Sequence, residues 1–297
     1  MKQKKYFWGM FFILLGVLTL LIKYDVIETN FSSLIDYWPL LFVFWGLSII
    51  AKDTPAKPFI SIISALFMVL LVISFFQYIF RDDNFRIDFS DTNNSRFNSS
   101  YSDSIKYASL EFNSGAGSFK VGGFTDELVS AKTWTDEFNY DFNVYQFDSL
   151  AKINISLEGN EGFNSNYKNK VKMELNKNPQ WDLFFNIGAS KGDFDLSEYK
   201  VRKIELNSGA ADLDIKLGDQ QFLTYINADI GAVKLKLQIP KDSGCRIKFN
   251  QFLVLKDLDG FNKIRDGIYE TYNYDISDKK INMTVDGGVS SFKVDRY

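Results

Sequence analysis

One phrase pattern recurs along the chain and constrains its fold more than any other feature. "IELNSGAADLDIKLGD", residues 204–219, is the clearest copy. Ile204 and Leu206 alternate with Glu205 and Asn207; Leu213, Ile215 and Leu217 alternate with Asp212, Asp214 and Lys216; Ser208, Gly209, Ala210 and Ala211 lie between. Alternation with a period of two makes one face of a strand apolar. The small residues mark a corner, where glycine is expected to supply positive φ and alanine or serine to keep the bend narrow.

Related phrases are "LEFNSGAGSFKV" (110–121), "FFNIGASKGDFDL" (184–196), "TYINADIGAVKLKLQI" (224–239) and "INMTVDGGVSSFKV" (281–294). Alternating stretches between them, "AKINISLEG", "KVKMELN" and "GCRIKF", supply further strands. One such unit cannot cover its own apolar face, whereas stacked copies bury a continuous core. The reading is an all-β solenoid domain over 106–297, with a β-sandwich as the rival. Tyr269, Tyr272 and Tyr274 precede the last copy and are expected to cap the exposed end of the core.

Residues 1–80 read differently. They hold three apolar segments: 6–22, 37–51 and 58–80. The first would span roughly 25 Å as a helix and the third about 34 Å, against a hydrocarbon core of about 30 Å. No small-x-small cleavage site follows the first, so it reads as a retained helix rather than a signal peptide. Pro39 and Pro58 open the second and third, where a missing N–H does least harm. Lys2, Lys4 and Lys5 and the loop lysines Lys52 and Lys57 outnumber the single Lys23 of the other connection. The positive side faces the cytoplasm, so three crossings would place the C-terminal domain outside. Gly9, Gly16 and Gly46 would let these helices approach closely. Residues 81–105, rich in Asn, Ser and Asp, read as a polar tether with a short strand near Phe85–Phe89.

Composition narrows the function. There is no histidine among 297 residues, which removes the commonest general base and metal ligand. Beyond residue 80 there are 28 basic against 33 acidic residues, without the basic footprint of a nucleic-acid binder. Cys245 alternates with Ile247 and Phe249 and reads as a core residue. Gly115-x-Gly117 is followed by Lys120, which breaks a dinucleotide fingerprint, and reads as a repeat corner. Asp257, Asp259 and Glu270 lack a correctly placed glycine for a calcium loop. Asp193 with Asp195, and Asp212 with Asp214, would share the solvent face of a strand. No catalytic, cofactor-binding or metal-binding residue is assigned. The aromatic stretch "KTWTDEFNYDFNVYQF", with Trp134, Tyr140, Phe142 and Tyr145, could stack on sugars if its rings are exposed.

"GMFFILLGVLTL" and "YWPLLFVFWGLSII" together resemble the LiaI–LiaF-type transmembrane region of bacterial envelope proteins. "FFNIGASKGDFDLSEYKVRKIELNSG", "ELNSGAADLDIKLGD" and "NYDISDKKINMTVDGGVSSFKV" resemble the C-terminal domain of LiaF-like proteins and the related toastrack β-domains. Many relatives carry four membrane helices, whereas three apolar segments are found here. The resemblance implies a multi-pass protein of the bacterial cytoplasmic membrane with a right-handed, single-stranded β-solenoid. It implies a non-enzymatic regulator of the cell-envelope stress response with the bilayer and a sensor histidine kinase, or another membrane protein, as partners. A scaffold binding cell-wall glycan or lipid head groups is the alternative.

Overall fold

The computed structural model describes residues 37, 39–50, 54, 57–80, 89, 95–135, 139–158, 169–250, 254–287 and 290–297. The chain divides into two compact units, Met1–Asp83 and Asn84–Tyr297.

In the first unit, helix α1 (Leu40–Ile50) and helix α2 (Lys57–Phe80) coincide with the second and third apolar segments. Neither has a charged residue after Lys57, so no charged face marks a solvent side. Phe44 packs on Phe67 with ring centroids 5.3 Å apart, while Phe42, Phe59 and Ile63 stay exposed. Among the described residues no helix is long and apolar enough to cross a membrane. Segment 6–22, expected as the first of three crossings, lies outside them.

The described elements of the second unit are all β-strands. Its strands are β1 (Ser95–Ser99), β2 (Tyr107–Ser114), β3 (Gly117–Phe124), β4 (Val129–Thr135), β5 (Asn139–Phe147), β6 (Leu150–Glu158), β7 (Asn169–Leu175) and β8 (Gln180–Leu196). They continue as β9 (Lys200–Leu217), β10 (Leu223–Ile239), β11 (Gly244–Phe249), β12 (Val254–Leu258), β13 (Phe261–Arg265), β14 (Ile268–Thr271), β15 (Lys280–Gly287) and β16 (Ser290–Arg296). Within 81–105, Ser95–Ser99 forms β1; of the stretch 85–89 only Phe89 is described, its ring 5.0 Å from that of Trp134.

β8, β9 and β10 show why the repeated phrase folds as it does. Each is one long strand with two arms. In β8 the buried side chains are Trp181, Leu183, Phe185 and Ile187, then Phe194 and Leu196. The buried set moves from odd to even positions across Gly188–Ala189. In β9 it moves from Ile204 and Leu206 to Leu213, Ile215 and Leu217, and in β10 from Ile226, Ala228 and Ile230 to Val233, Leu235 and Leu237. An unbroken alternation would turn the second arm's apolar residues outward. The one-residue change of phase at the corner lets both arms face the same core. Phe185 and Phe194, one from each arm of β8, stack at 4.6 Å.

Parallel pairing piles these two-armed rungs into a column. In space the order is β6/β7, β2/β3, β8, β9, β10, β15/β16, β11/β12. Chain order and column order therefore differ at both ends. β6/β7 follows β2/β3 in sequence yet lies outside it; β15/β16 comes last yet is wedged between β10 and β11/β12. Both ends are finished by antiparallel strands: β5 on β6, β4 on β7 and β1 on β4 at one end, β14 on β11 and β13 on β14 at the other. The stacked repeats thus form a column that is closed at both ends with hairpins. Of the three expected capping tyrosines, Tyr269 packs against Phe249 and Tyr274 is buried, but Tyr272 points out under Arg296.

The corner glycines are needed for a reason other than the one expected. Among the described residues positive φ in glycine occurs at Gly122, Gly123, Gly260 and Gly267, none of them at a rung corner. At the corners backbones touch. Gly188 N–H donates to the Gly115 carbonyl at 3.0 Å, and a Cβ on Gly231 would lie 2.4 Å from the Gly209 carbonyl oxygen. Gly209 is roomier, with its nearest contact at 3.8 Å. Gly231→Ala is therefore expected to destabilise the domain by about 2 kcal/mol or more, whereas Gly209→Ala changes stability by less than about 1 kcal/mol. Thermal unfolding of the two full-length variants in detergent, followed by circular dichroism, checks the contrast.

Candidate functional site

The chemistry weighed from the sequence is dispersed by the fold. Asp193, Asp195 and Asp214 lie on the outer face of the second arms, paired with neighbouring rungs. Asp193 accepts from Lys120 at 2.5 Å; Asp214 accepts from Gln238 at 2.7 Å and lies 3.8 Å from Lys236. Burial alone would raise the Asp195 carboxyl, but hydrogen bonds from Ser197 and the charge of Lys216 outweigh it and hold it below the usual carboxylate range. A general acid requires the opposite shift. Glu270 is engaged by Arg246 at 2.5 Å and Asp257 lies 4.0 Å from Lys293, so the three acids of the calcium-like loop do not converge. Among the described residues no group of three or more acids or cysteines is placed to hold a metal ion. Cys245 is buried, and burial pushes its thiol up, away from the reactive thiolate.

What the column does present is two outer faces whose residues line up across strands. On the first arms, just before the corner, Asn207 donates to Asn186 and Asn186 to Asn113, both at 2.7 Å; Asn113 donates to Ser156 at 3.1 Å. This amide ladder ties four rungs together and uses its hydrogen-bonding capacity internally.

At the other end of the first arms, away from the corner, Phe147 stands opposite Leu150 and Leu150 opposite Tyr107. These three side chains are 63%, 36% and 48% exposed, and Tyr145, one row over, is 55% exposed. Together they form an exposed apolar row across three strands, the signature of a contact surface. The aromatic stretch singled out from sequence is split by the fold. Trp134 and Tyr140 are buried, Phe142 is half-buried against Phe97 at 5.4 Å, and Tyr145 is displayed. Tyr107 and Leu150 carry no such signal, because only the strand register brings them beside Phe147.

The second-arm face carries a row of like charges. Arg96, Lys132, Lys172 and Lys120 lie directly opposite one another on β1, β4, β7 and β3. Neighbouring strands are about 4.8 Å apart, so the row extends over roughly 15 Å. Glu174 neutralises Lys172 at 2.7 Å and Asp193 neutralises Lys120. Arg96 and Lys132 have no carboxylate partner among the described residues. Opposed like charges cost stability, and such a row attracts polyanions.

Comparison with known proteins places this architecture. The family model described as the LiaF transmembrane domain matches residues 7–87, and that of the N-terminal domain of toast_rack matches residues 88–238. The chain belongs to the toast-rack family. The match ends within β10, so β11–β16 lie beyond it. With a LiaF transmembrane domain at its N-terminal side, this toast-rack protein is membrane-anchored, which the two described helices alone do not establish. A crystal structure of a Clostridium sporogenes protein, described as a proposed cell adhesion protein, shares the fold: TM-score 0.65 at 19% identity, covering 69% of this chain and 99% of the other. None of the curated proteins matches.

Two buried phenols tie the stability of the column to pH. Burial pushes Tyr140 up to about 12 from 10.0, despite hydrogen bonds with Ser114 at 2.7 Å and Asn169 at 2.8 Å. Burial likewise pushes Tyr199 up to about 12, with its hydroxyl donated to the Gly123 carbonyl. A phenol raised in the folded state stabilises fully below the unfolded value of about 10, and that stabilisation is lost as pH rises toward 12. The thermal midpoint is expected to hold to about pH 10 and then fall, with Tyr140→Phe lowering the plateau and flattening the decline. Thermal melts across alkaline pH, alongside phenolate absorbance, check the window.

Proposed function

We propose that this toast-rack protein is a membrane-anchored regulator of the cell-envelope stress response, acting by contact with another membrane protein and without chemistry of its own. The observation that carries the reading is the union of a LiaF transmembrane domain with a β column bearing the exposed row Phe147, Leu150 and Tyr107. A sensor histidine kinase is the partner the family relationship favours. Three crossings would put the column outside the cytoplasm, supported by the lysine bias of the N-terminus and the 52–57 loop. The winding is read as right-handed, the hand preferred by crossovers between parallel strands.

A second reading is favoured by the opposed cations Arg96, Lys132, Lys172 and Lys120. Here the column is a scaffold that holds an anionic envelope polymer or lipid head groups. One experiment separates the two. After crosslinking in cells, the regulator co-purifies with a histidine kinase, and Phe147→Ala with Tyr107→Ala reduces recovery by at least about tenfold, roughly 1.4 kcal/mol. The scaffold instead recovers wall polymer or lipid alone, with strong salt dependence lost in Lys132→Glu. A reporter fused after Tyr297 tests the orientation; activity only in the cytoplasm rejects three crossings.

A further inference from the structure

A stacked sheet has edges, and each unpaired edge is a template for another strand unless something blunts it. Among the described residues this column has four: β1 and β12 on the second arms, β5 and β13 on the first. Three are blunted in the ways edges usually are. β1 is five residues long and carries Arg96; β12 is five residues long with Lys256 and Asp257; β13 is five residues long, carries Lys263 and Arg265, and has a register shift between them. β5 is different. It is nine residues long, its pairing with β6 is unbroken in register, and it holds no proline and no basic residue. Among the described residues its outer backbone edge pairs with nothing.

Its side chains fit a second β5. On the core side of the strand Tyr140 is buried, but Phe142 and Val144 are only partly covered, because no further strand lies beyond them. A two-fold axis through Asn143 sets an antiparallel copy so that Phe142 faces the partner's Val144 and Val144 faces the partner's Phe142. Aromatic and β-branched residues make favourable cross-strand pairs. The same register sets Asp141, the only charged residue of β5, opposite the partner's Tyr145 rather than its own copy. No like charges meet. The same register sets Phe147, at the end of the strand, opposite the partner's Asn139.

We infer that β5 is the contact strand of a two-fold dimer, in which the first-arm sheets of two copies continue into one another around Asn143. A second copy is the occupant because the strand is self-complementary in this register and both chains are anchored by their own helices. The inference does not rest on the regulatory reading; a dimer could serve either function.

The single buried Cys245 makes the test clean, since it gives no crosslink of its own. Full-length protein in membranes carries Asn143→Cys or, separately, Tyr145→Cys, and both are oxidised with a copper catalyst. A two-fold pair brings the two Cα atoms at position 143 to about 4.5–5.5 Å, within disulfide reach. Asn143→Cys is expected to give a covalent dimer, and Tyr145→Cys at least about fivefold less. Asn143→Lys sets like charges face to face on the axis and should weaken self-association of the detergent-solubilised protein by about tenfold or more. Protection of Cys245 from thiol reagents under native conditions shows that each variant is folded. Folded Asn143→Cys that stays monomeric on oxidation, stronger crosslinking through Tyr145→Cys, or association unchanged by Asn143→Lys would each overturn the inference. Association through the helices alone produces the first and last of these results.

Discussion

The fold depends on one geometric constraint: both arms of every rung must turn their apolar side chains to the same column of core. A strand alternates strictly, so a bend alone would bury one arm and expose the other. The one-residue change of phase at the corners of β8, β9 and β10 removes that conflict. It also forces the backbones of successive corners close together, because the small residues that permit the phase change leave no side chain to hold them apart. The run Gly115, Gly188, Gly209 and Gly231 is the trace of that contact, and the N–H of Gly188 donated to Gly115 shows it directly.

Much of this was legible in residue order. The alternating arms, the corners, the buried Cys245 and the solvent-facing aspartates of 193–195 follow from period-two patterning, and the structure places them so. The change of parity between Leu206 and Leu213 is likewise visible in the opening phrase once its meaning is known. The role of the corner glycines was not legible, because close approach of neighbouring backbones is a property of the stack and not of one repeat. Nor was the rung order. Parallel pairing of β2 with both β6 and β8 satisfies the same alternation as a coil wound in sequence order.

The candidate surfaces divide along the same line. Aromatic content pointed to residues 132–147, but burial of Trp134 and Tyr140 withdraws half of that stretch into the core. The displayed row instead combines Phe147 with Leu150 and Tyr107, which are near one another only through pairing. The cationic row is similar. Arg96, Lys132, Lys172 and Lys120 sit in four separate stretches of sequence, each of which reads as ordinary strand polarity. Surface chemistry on a β column is written across the strands, where a single sequence is hardest to read.

The displaced rung near the C-terminal side has a consequence for assembly. β15/β16 enters between β10 and β11/β12, with Tyr297 bonded through its hydroxyl to the Leu217 carbonyl at 2.6 Å and through its N–H to Ile239 at 3.0 Å. Until that stretch leaves the ribosome, the terminal rung has no neighbour to rest on, and the growing stack holds a gap one rung wide. The segment acts as a keystone. A chain broken before Lys280 is not a shorter column but an open one, with bare strand edges on both sides of the breach for quality-control machinery to recognise.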